Sequence, residues 1–314
     1  VRVVTEPFPP VISEASAVSI GKFDGVHLGH RAVLRELIER ARGLGVEAVA
    51  VTFDRNPLQL LHPDRCPPAL VTLERRLELL AEAGLDAAVV LRFDEVRAAQ
   101  RPEDFVDEVL VRGLGARSVA IGADFRFGAK GAGGVELLRE LGAAAGFETI
   151  VVDDVGIAGD LRISASRIRA LVAEGRVREA SLLLGALPSM TGEVVHGHAR
   201  GRELGFPTAN LAPDSVGPVP ADGVYAGWLI VGADRMPAAI SVSDNPTFGD
   251  DVTKVEAYVI DADLDLYGRI VEVEFQDRIR GIETFTSIDA LIERMHVDVD
   301  RAREILGMPP VVGA

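Results

Sequence analysis

A change of periodicity near Gly185 constrains the fold of this chain more than any other feature. Ahead of it, short β-branched runs alternate with longer amphipathic stretches. Strands are predicted over Ala17–Ile20, Ala48–Phe53, Ala87–Leu91, Ser118–Ile121 and Thr149–Val152, and helices near Arg31–Arg42, Leu73–Ala83, Glu103–Leu110 and Val135–Ala145. Repeated β-then-α order specifies a doubly wound parallel sheet with helices on both faces and a ligand site beyond the carboxyl ends of its strands. A helix pair beginning near Ser166 and Val177 closes this half. Ser166 is the expected N-cap, with Ile168, Leu171 and Val172 following it.

Gly185-Ala186-Leu187-Pro188 ends the helical pattern. Strand-like runs follow at Gly192–Val195, Val224–Val231, Ala238–Val242, Val252–Ile260 and Ile270–Phe275, with Gly and Pro frequent between them. Such strands close most simply into a small antiparallel barrel or sandwich, which protects their edges. A final amphipathic stretch, Ile288–Leu306, is expected to pack across its open side. The expected domains are residues 1–186 and 187–314, without an internal repeat or low-complexity linker.

Composition narrows the partners. A formal net charge of −15 and the lack of any Lys/Arg block argue against a nucleic-acid footprint. The one cysteine, Cys66, excludes an intramolecular disulfide framework and a cysteine-based zinc site, and fits a reducing cytoplasm. VRVVTEPFPP has no basic region followed by a signal-like apolar core, and no apolar run approaches bilayer length. A cytoplasmic chain without membrane or nucleic-acid partners is expected; self-association is left open.

The loop GKFDGVHLGH, Gly21 to His30, turns the first predicted strand into the first helix. Gly21, Gly25 and Gly29 permit tight turning, and His27 and His30 stand three residues apart, able to face one ligand. Unpaired helix-start amides beside two imidazoles read as a phosphate site. Asp24 either orients the turn or receives a ligand hydroxyl. The competing reading is a plain helix cap with two half-exposed histidines. Metal ligation by the histidines is disfavoured, because no third imidazole or cysteine arrives at useful spacing.

Three further segments carry compatible chemistry. IGADFRFG, Ile121 to Gly128, offers Asp124, Phe125, Arg126 and Phe127 for a flat heterocycle, or two rings for core packing. RISASRIR, Arg162 to Arg169, places Ser164, Ser166, Arg167 and Arg169 at a helix start, as a triphosphate cradle or as a cap with solvated arginines. GHARGRELGFPTANL, Gly197 to Leu211, reads as a glycine flap, including Gly201, leading into a stiff turn whose Thr208 hydroxyl and Asn210 amide suit Mg²⁺ and phosphates. Glu256, in KVEAYV, either accepts a proton from an alcohol or is a surface strand carboxylate.

Taken in order, GKFDGVHLGH, TFDRNP, IGADFRFG and RISASRIR, then GRELGFPTANL, DGVYAGW, SVSDNPTFG, VEAYVID, DLYG and RGIETF, resemble the bacterial bifunctional riboflavin kinase/FMN adenylyltransferase family over nearly the whole chain. The resemblance implies a nucleotidyltransferase-type first domain and a riboflavin kinase barrel with a C-terminal helix. ATP phosphorylates riboflavin to FMN, and FMN is then adenylylated by ATP to FAD with release of pyrophosphate. It further implies that His27 and His30 contact phosphate, with Gly21, Phe23, Asp24 and Gly29 around the nucleotide. Ser164, Ser166 and Arg167 bind nucleotide phosphates, while Asp124 and Phe125 meet FMN. In the kinase half it implies Thr208 and Asn210 at Mg²⁺ and phosphate, Gly201 in the flap, and Glu256 activating the riboflavin 5′-hydroxyl.

Lys22, Leu28, Ala165 and Thr284 depart from the family pattern. Family members commonly place a small apolar or aromatic residue, a basic residue, a serine and a basic residue there. Lys22 either adds a phosphate contact or reaches solvent on its aliphatic stem; Leu28 and Ala165 each remove a possible polar contact and are expected to tune ATP or FMN affinity without abolishing transfer, and Thr284 weakens the case for a flavin contact at that loop. Two other readings compete: a nucleotidyl transferase whose second domain only binds flavin for regulation, and a sensor that binds without turnover. Glu256 with Thr208 and Asn210 argues against the first, and the paired histidines with Glu256 argue against the second.

Overall fold

The computed structural model describes residues 1–6, 11–153, 156–157, 161–197, 201, 204–244 and 253–309. The chain divides into two compact units, Val1–Pro67 with Leu73–Ser164, and Pro68–Thr72 with Ala165–Ala314.

In the first unit six strands form one parallel sheet: β1 (Arg2–Thr5), β2 (Ser16–Ile20), β3 (Glu47–Phe53), β4 (Ala87–Leu91), β5 (Ala116–Gly122) and β6 (Glu148–Val152). β2 and β4 are buried at every residue, as expected for strands covered on both faces. Around them lie α1 (Leu28–Leu44), α2 (Pro57–Leu61), α3 (Leu73–Glu82), α4 (Glu95–Ala99), α5 (Pro102–Phe105) and α6 (Val135–Ala145). α5 runs on into a π-helix, Val106–Gly113, so the helix expected at Glu103–Leu110 changes hydrogen-bond register partway along. Val18, Val49, Val89 and Val119 share a core with Leu110 of that segment and Leu138 of α6, while α1 buries Leu34, Leu37, Ile38 and Ala41. A two-stranded hairpin, β7 (Gly156–Ile157) with β8 (Leu161–Arg162), follows β6.

The strand order, β1-β4-β3-β2-β5-β6, positions the site. From β2 the chain builds β3 and β4 on one side, then crosses to β5 and β6 on the other. The order thus reverses between β2 and β5, where open α/β sheets bind ligands outside the carboxyl ends. Ser19 pairs with Ala120 near those ends, so the loops after β2 and β5 leave the sheet side by side.

The second unit begins with α7 (Ala165–Ala173) and α8 (Val177–Leu184). Six antiparallel strands follow: β9 (Ser189–Val195), β10 (Thr208–Leu211), β11 (Gly223–Val231), β12 (Asp234–Asp244), β13 (Thr253–Val259) and β14 (Ile270–Arg280). They close into a barrel in the order β10-β13-β12-β11-β14-β9. Val255, Ala257 and Val259 of β13 point into its core beside Met190, Tyr225, Leu229, Ile240 and Phe275. Their neighbours Lys254, Glu256 and Tyr258 therefore lie on the outer face.

Three expectations need correction. Thr208–Leu211 is a barrel strand, whereas the sequence pattern suggests a turn; Pro207 is tolerated just ahead of a strand, and cross-strand pairing overrides the low strand propensity of asparagine. α9 (Ile288–Ile305) packs Ala302 on Ala226 and Ile260 of the barrel's outer wall, because the closed barrel has no open side to cover. α7 starts at Ala165, so Ser164 precedes the helix and Ser166 is exposed in its first turn instead of capping it. In addition, α7 and α8 group with the barrel: Val177 belongs to its core, and Gly175 abuts the Tyr225 hydroxyl and Arg278. The NPTFG segment and flap residues 198–200 and 202–203 lie outside the described residues.

Candidate active sites

The loop after β2 is held in a strained turn. Phe23 and Val26 have φ of 47° and 42°, Gly25 has 75°, and both Phe23 and Val26 are buried. A β-branched residue in the left-handed region costs free energy, and such strain concentrates at functional sites. The turn delivers His27 to the N-cap of α1, where its Nδ1 accepts the His30 backbone N–H at 3.3 Å. The two imidazoles stack with centroids 3.7 Å apart at 17°, and Phe23 meets His30 edge-on at 5.3 Å. The amides of Leu28 and Gly29 have no intrahelical carbonyl, so the positive end of a 17-residue helix lies beside the rings.

Burial holds His30 well below the ordinary histidine value of 6.5, and the charges of His27, Lys22 and Arg76 push in the same direction. His30 is therefore neutral at pH 7. Its Nδ1 is buried without a protein partner, an unsatisfied group available to a ligand. Lys22 itself is exposed.

Beneath the turn sits Arg76, which the sequence reading missed. Its Nη1 donates to the carbonyl of Lys22 at 3.0 Å, Thr52 Oγ1 at 3.1 Å and the carbonyl of Phe53 at 3.0 Å. Thr52 Oγ1 also donates to the Lys22 carbonyl at 3.2 Å. Within LERRLELLAE an arginine reads as part of a solvated helix face, and only tertiary packing reveals that Arg76 is buried while Arg75 pairs with Glu78 and Glu82 outside.

The β5 loop stands next to this turn. Asp124 is exposed, and Phe125 is half-buried, stacked on Phe127 with centroids 5.5 Å apart. Phe127 belongs to the core, so of the two rings Phe125 lies nearer the surface. Gly29 approaches the Ile163 carbonyl closely enough that a Cβ would sit 3.4 Å from it, which brings the segment leading to Ser164 alongside the start of α1. Gly21, Phe23, Asp24, His27, Gly29, His30, Asp124, Phe125 and Ser164 all belong to the first unit; Ser166 and Arg167 belong to the second, on α7.

In the second unit Thr208 and Asn210 share one face of β10, two residues apart. Asn210 pairs directly with Glu256 of β13, and Glu256 with Ser241 of β12, so the carboxylate is flanked by an amide-bearing and a hydroxyl-bearing strand position. The Asn210 Nδ2 donates to the carbonyl and the hydroxyl of Thr208 at 3.2 and 3.3 Å, which orients the amide. Gly197 makes that orientation sterically possible: a Cβ there would lie 2.4 Å from Asn210 Oδ1. A pocket runs from Gly197, Gly201, Thr208 and Asn210 to Leu264 and Tyr267. The Tyr267 ring stacks on His196 at 3.9 Å.

Elsewhere in the barrel, Arg278 donates to the Asp222 carbonyl at 2.5 Å at the start of DGVYAGW. Arg280 grips Asp298 of α9 through contacts of 3.0, 3.0 and 2.6 Å, and its guanidinium lies over the Phe285 ring. Thr284 of RGIETF is exposed. Among the described residues no group of three or more His, Cys, Asp and Glu could hold a metal, and no helix is long and apolar enough to cross a membrane.

Comparison with known proteins matches the two halves of the chain to two different family models. The family model described as FAD synthetase matches residues 10–167, and that described as riboflavin kinase matches residues 184–306. The bifunctional riboflavin kinase/FMN adenylyltransferase of Escherichia coli K12 is 36% identical over 296 residues, 94% of each chain. The Listeria monocytogenes protein of the same name is 34% identical over 288 residues, 91% of each. A solved structure from Streptococcus pneumoniae, titled a macrolide-efflux protein, superposes with a TM-score of 0.84 at 30% identity, covering 96% of this chain and 99% of that one. With two domain models in this order and relatives matched nearly end to end, this chain belongs to the bifunctional riboflavin kinase/FMN adenylyltransferase family.

Proposed function

We propose that the first unit adenylylates FMN at the His27–His30 turn and that the second phosphorylates riboflavin beside Glu256, the two steps being linked by released FMN. One observation carries this division. Phosphate-type chemistry occurs twice, with paired imidazoles leading in one unit and a strand carboxylate opposite Asn210 in the other. The two reactions need this difference. FMN already bears an anionic phosphate that attacks the α-phosphorus of ATP and expels pyrophosphate, so stabilisation of the transferring group matters more than a base. Riboflavin brings a neutral alcohol, whose proton must leave as its oxygen attacks the γ-phosphorus.

In the first reaction, a neutral His30 donates one N–H to a phosphoryl oxygen without adding a charge that burial penalises. His27 and the amides at the start of α1 face the same anion. Asp124 and Phe125 are the proposed contacts for FMN, and Ser164 that for the nucleotide phosphates. In the second reaction Glu256 takes the 5′-hydroxyl proton, while Asn210 and Thr208 align the phosphates. Thr208 Oγ1 and the Asn210 amide oxygen are neutral oxygen donors on one strand face, which fits a Mg²⁺ ion that keeps phosphate and water as its other ligands. Bound there, Mg²⁺ supplies charge neutralisation to the transferring phosphoryl group. A cytoplasmic location suits a chain that draws on ATP in both steps.

The test is a time course with riboflavin, ATP and Mg²⁺, followed by separation of the flavins. FMN appearing first and FAD second supports the reading. Neither product, or FMN alone at every time, overturns it for both units or for the first.

A further inference from the structure

Arg76 is nine-tenths buried, yet every hydrogen bond it makes goes to a neutral oxygen, and its Nε is buried with no partner. A desolvated guanidinium in that state is costly unless something else uses its charge. Its position supplies the use. Nη1 joins the ends of β2 and β3 through the carbonyls of Lys22 and Phe53, immediately below the turn that bears Phe23 and the two histidines.

We propose that Arg76 is a positioning residue of adenylyl transfer, pinning the two strand-end loops and placing a buried positive charge beneath the nucleotide phosphates. The inference rests on the reading of the His27–His30 turn as the adenylyl-transfer site. Acting through backbone carbonyls, Arg76 fixes the direction from which His27 and His30 meet the anion. Its charge also bears on His30, together with His27 from the same turn and Lys22 from the loop after β2, all opposing protonation. The charges of Asp24, Asp54 and Glu74 favour the charged form of Arg76, against the larger effect of burial.

Arg76→Met keeps length and removes charge and donors; Arg76→Lys keeps the charge and has three N–H donors for the three oxygens. With Arg76→Met, kcat for FMN to FAD should fall at least about tenfold, as expected for losing a buried charged hydrogen-bond centre. KM for FMN should change by less than about threefold, and riboflavin to FMN, in the other unit, should keep its rate. Arg76→Lys should recover most of the loss. NMR titration should find the His30 pKa raised in Arg76→Met and near wild type in Arg76→Lys. A wild-type FAD rate in Arg76→Met, or equal losses in both variants with His30 unmoved, overturns the inference. His30→Ala is run in parallel: if it leaves FAD formation intact, the reading of the turn itself fails, whereas loss in His30→Ala with none in Arg76→Met removes only the role of Arg76.

Discussion

Gly197→Ala tests the kinase site without touching a reacting group. An added Cβ would lie 2.4 Å from Asn210 Oδ1, 2.6 Å from Cγ and 2.8 Å from Nδ2, where ordinary contact begins at 3.4 Å. The amide must move by roughly 1 Å, because close-packed surroundings leave no gentler accommodation. That shift breaks the two hydrogen bonds from Nδ2 to Thr208, each worth about 1 kcal/mol. It also displaces the group proposed to align the phosphates, and misplacement of this size costs about 100-fold in rate. The expected result is a fall of about 100-fold in kcat for riboflavin phosphorylation, equivalent to about 2.7 kcal/mol of barrier. FAD formation from supplied FMN, followed in the same preparation, should be unchanged. A kinase rate within about threefold of wild type would refute the argument that the Gly197 contact sets Asn210. Equal loss of both reactions would refute its confinement to one unit.

Two further outcomes follow from charge burial. Burial first, then the charges of His27, Lys22 and Arg76, lowers the folded-state pKa of His30 below 6.5, so the unfolded chain takes up the proton first as pH falls. Stability is therefore complete above 6.5 and declines as pH drops through 6.5 toward the folded value. In His30→Phe the urea midpoint of the first unit should fall less steeply between about pH 7 and about pH 5 than in wild type; parallel slopes would contradict this. In the second unit, Asp298→Ala strands a buried Arg280 and should cost about 3 kcal/mol in a denaturant titration. A loss below about 0.5 kcal/mol would mean that water replaces the carboxylate freely.

The strands of both halves were legible because they are short, β-branched and bounded by turn residues. Val135–Ala145 was predicted to the residue, and five of the six parallel strands to within two residues at each end. β1 escaped because four residues ahead of a proline-rich segment carry too little pattern, and its partner is β4, distant in sequence. β10 escaped for a different reason. Thr208 and Asn210 have turn chemistry in isolation, and only pairing with β9 and β13 makes them a strand. That same pairing puts Asn210 opposite Glu256, so the geometry most important to the kinase reading was the part least visible in sequence. Arg76 was hidden because burial of a charged helix residue depends on which face meets the sheet, and LERRLELLAE offers two arginines with no local reason to prefer the second. Glu256 and the histidines stood out as candidates because the strand pattern and the glycine-rich loop already set them apart.

The central claim is that two self-sufficient sites act in sequence through free FMN, and a mixing assay addresses it most directly. His30→Ala should convert riboflavin to FMN and stop, and Glu256→Ala should convert FMN to FAD but leave riboflavin untouched. An equimolar mixture of the two variants with riboflavin, ATP and Mg²⁺ should again yield FAD. Failure of the mixture to form FAD, or loss of both reactions in either variant alone, would contradict the account.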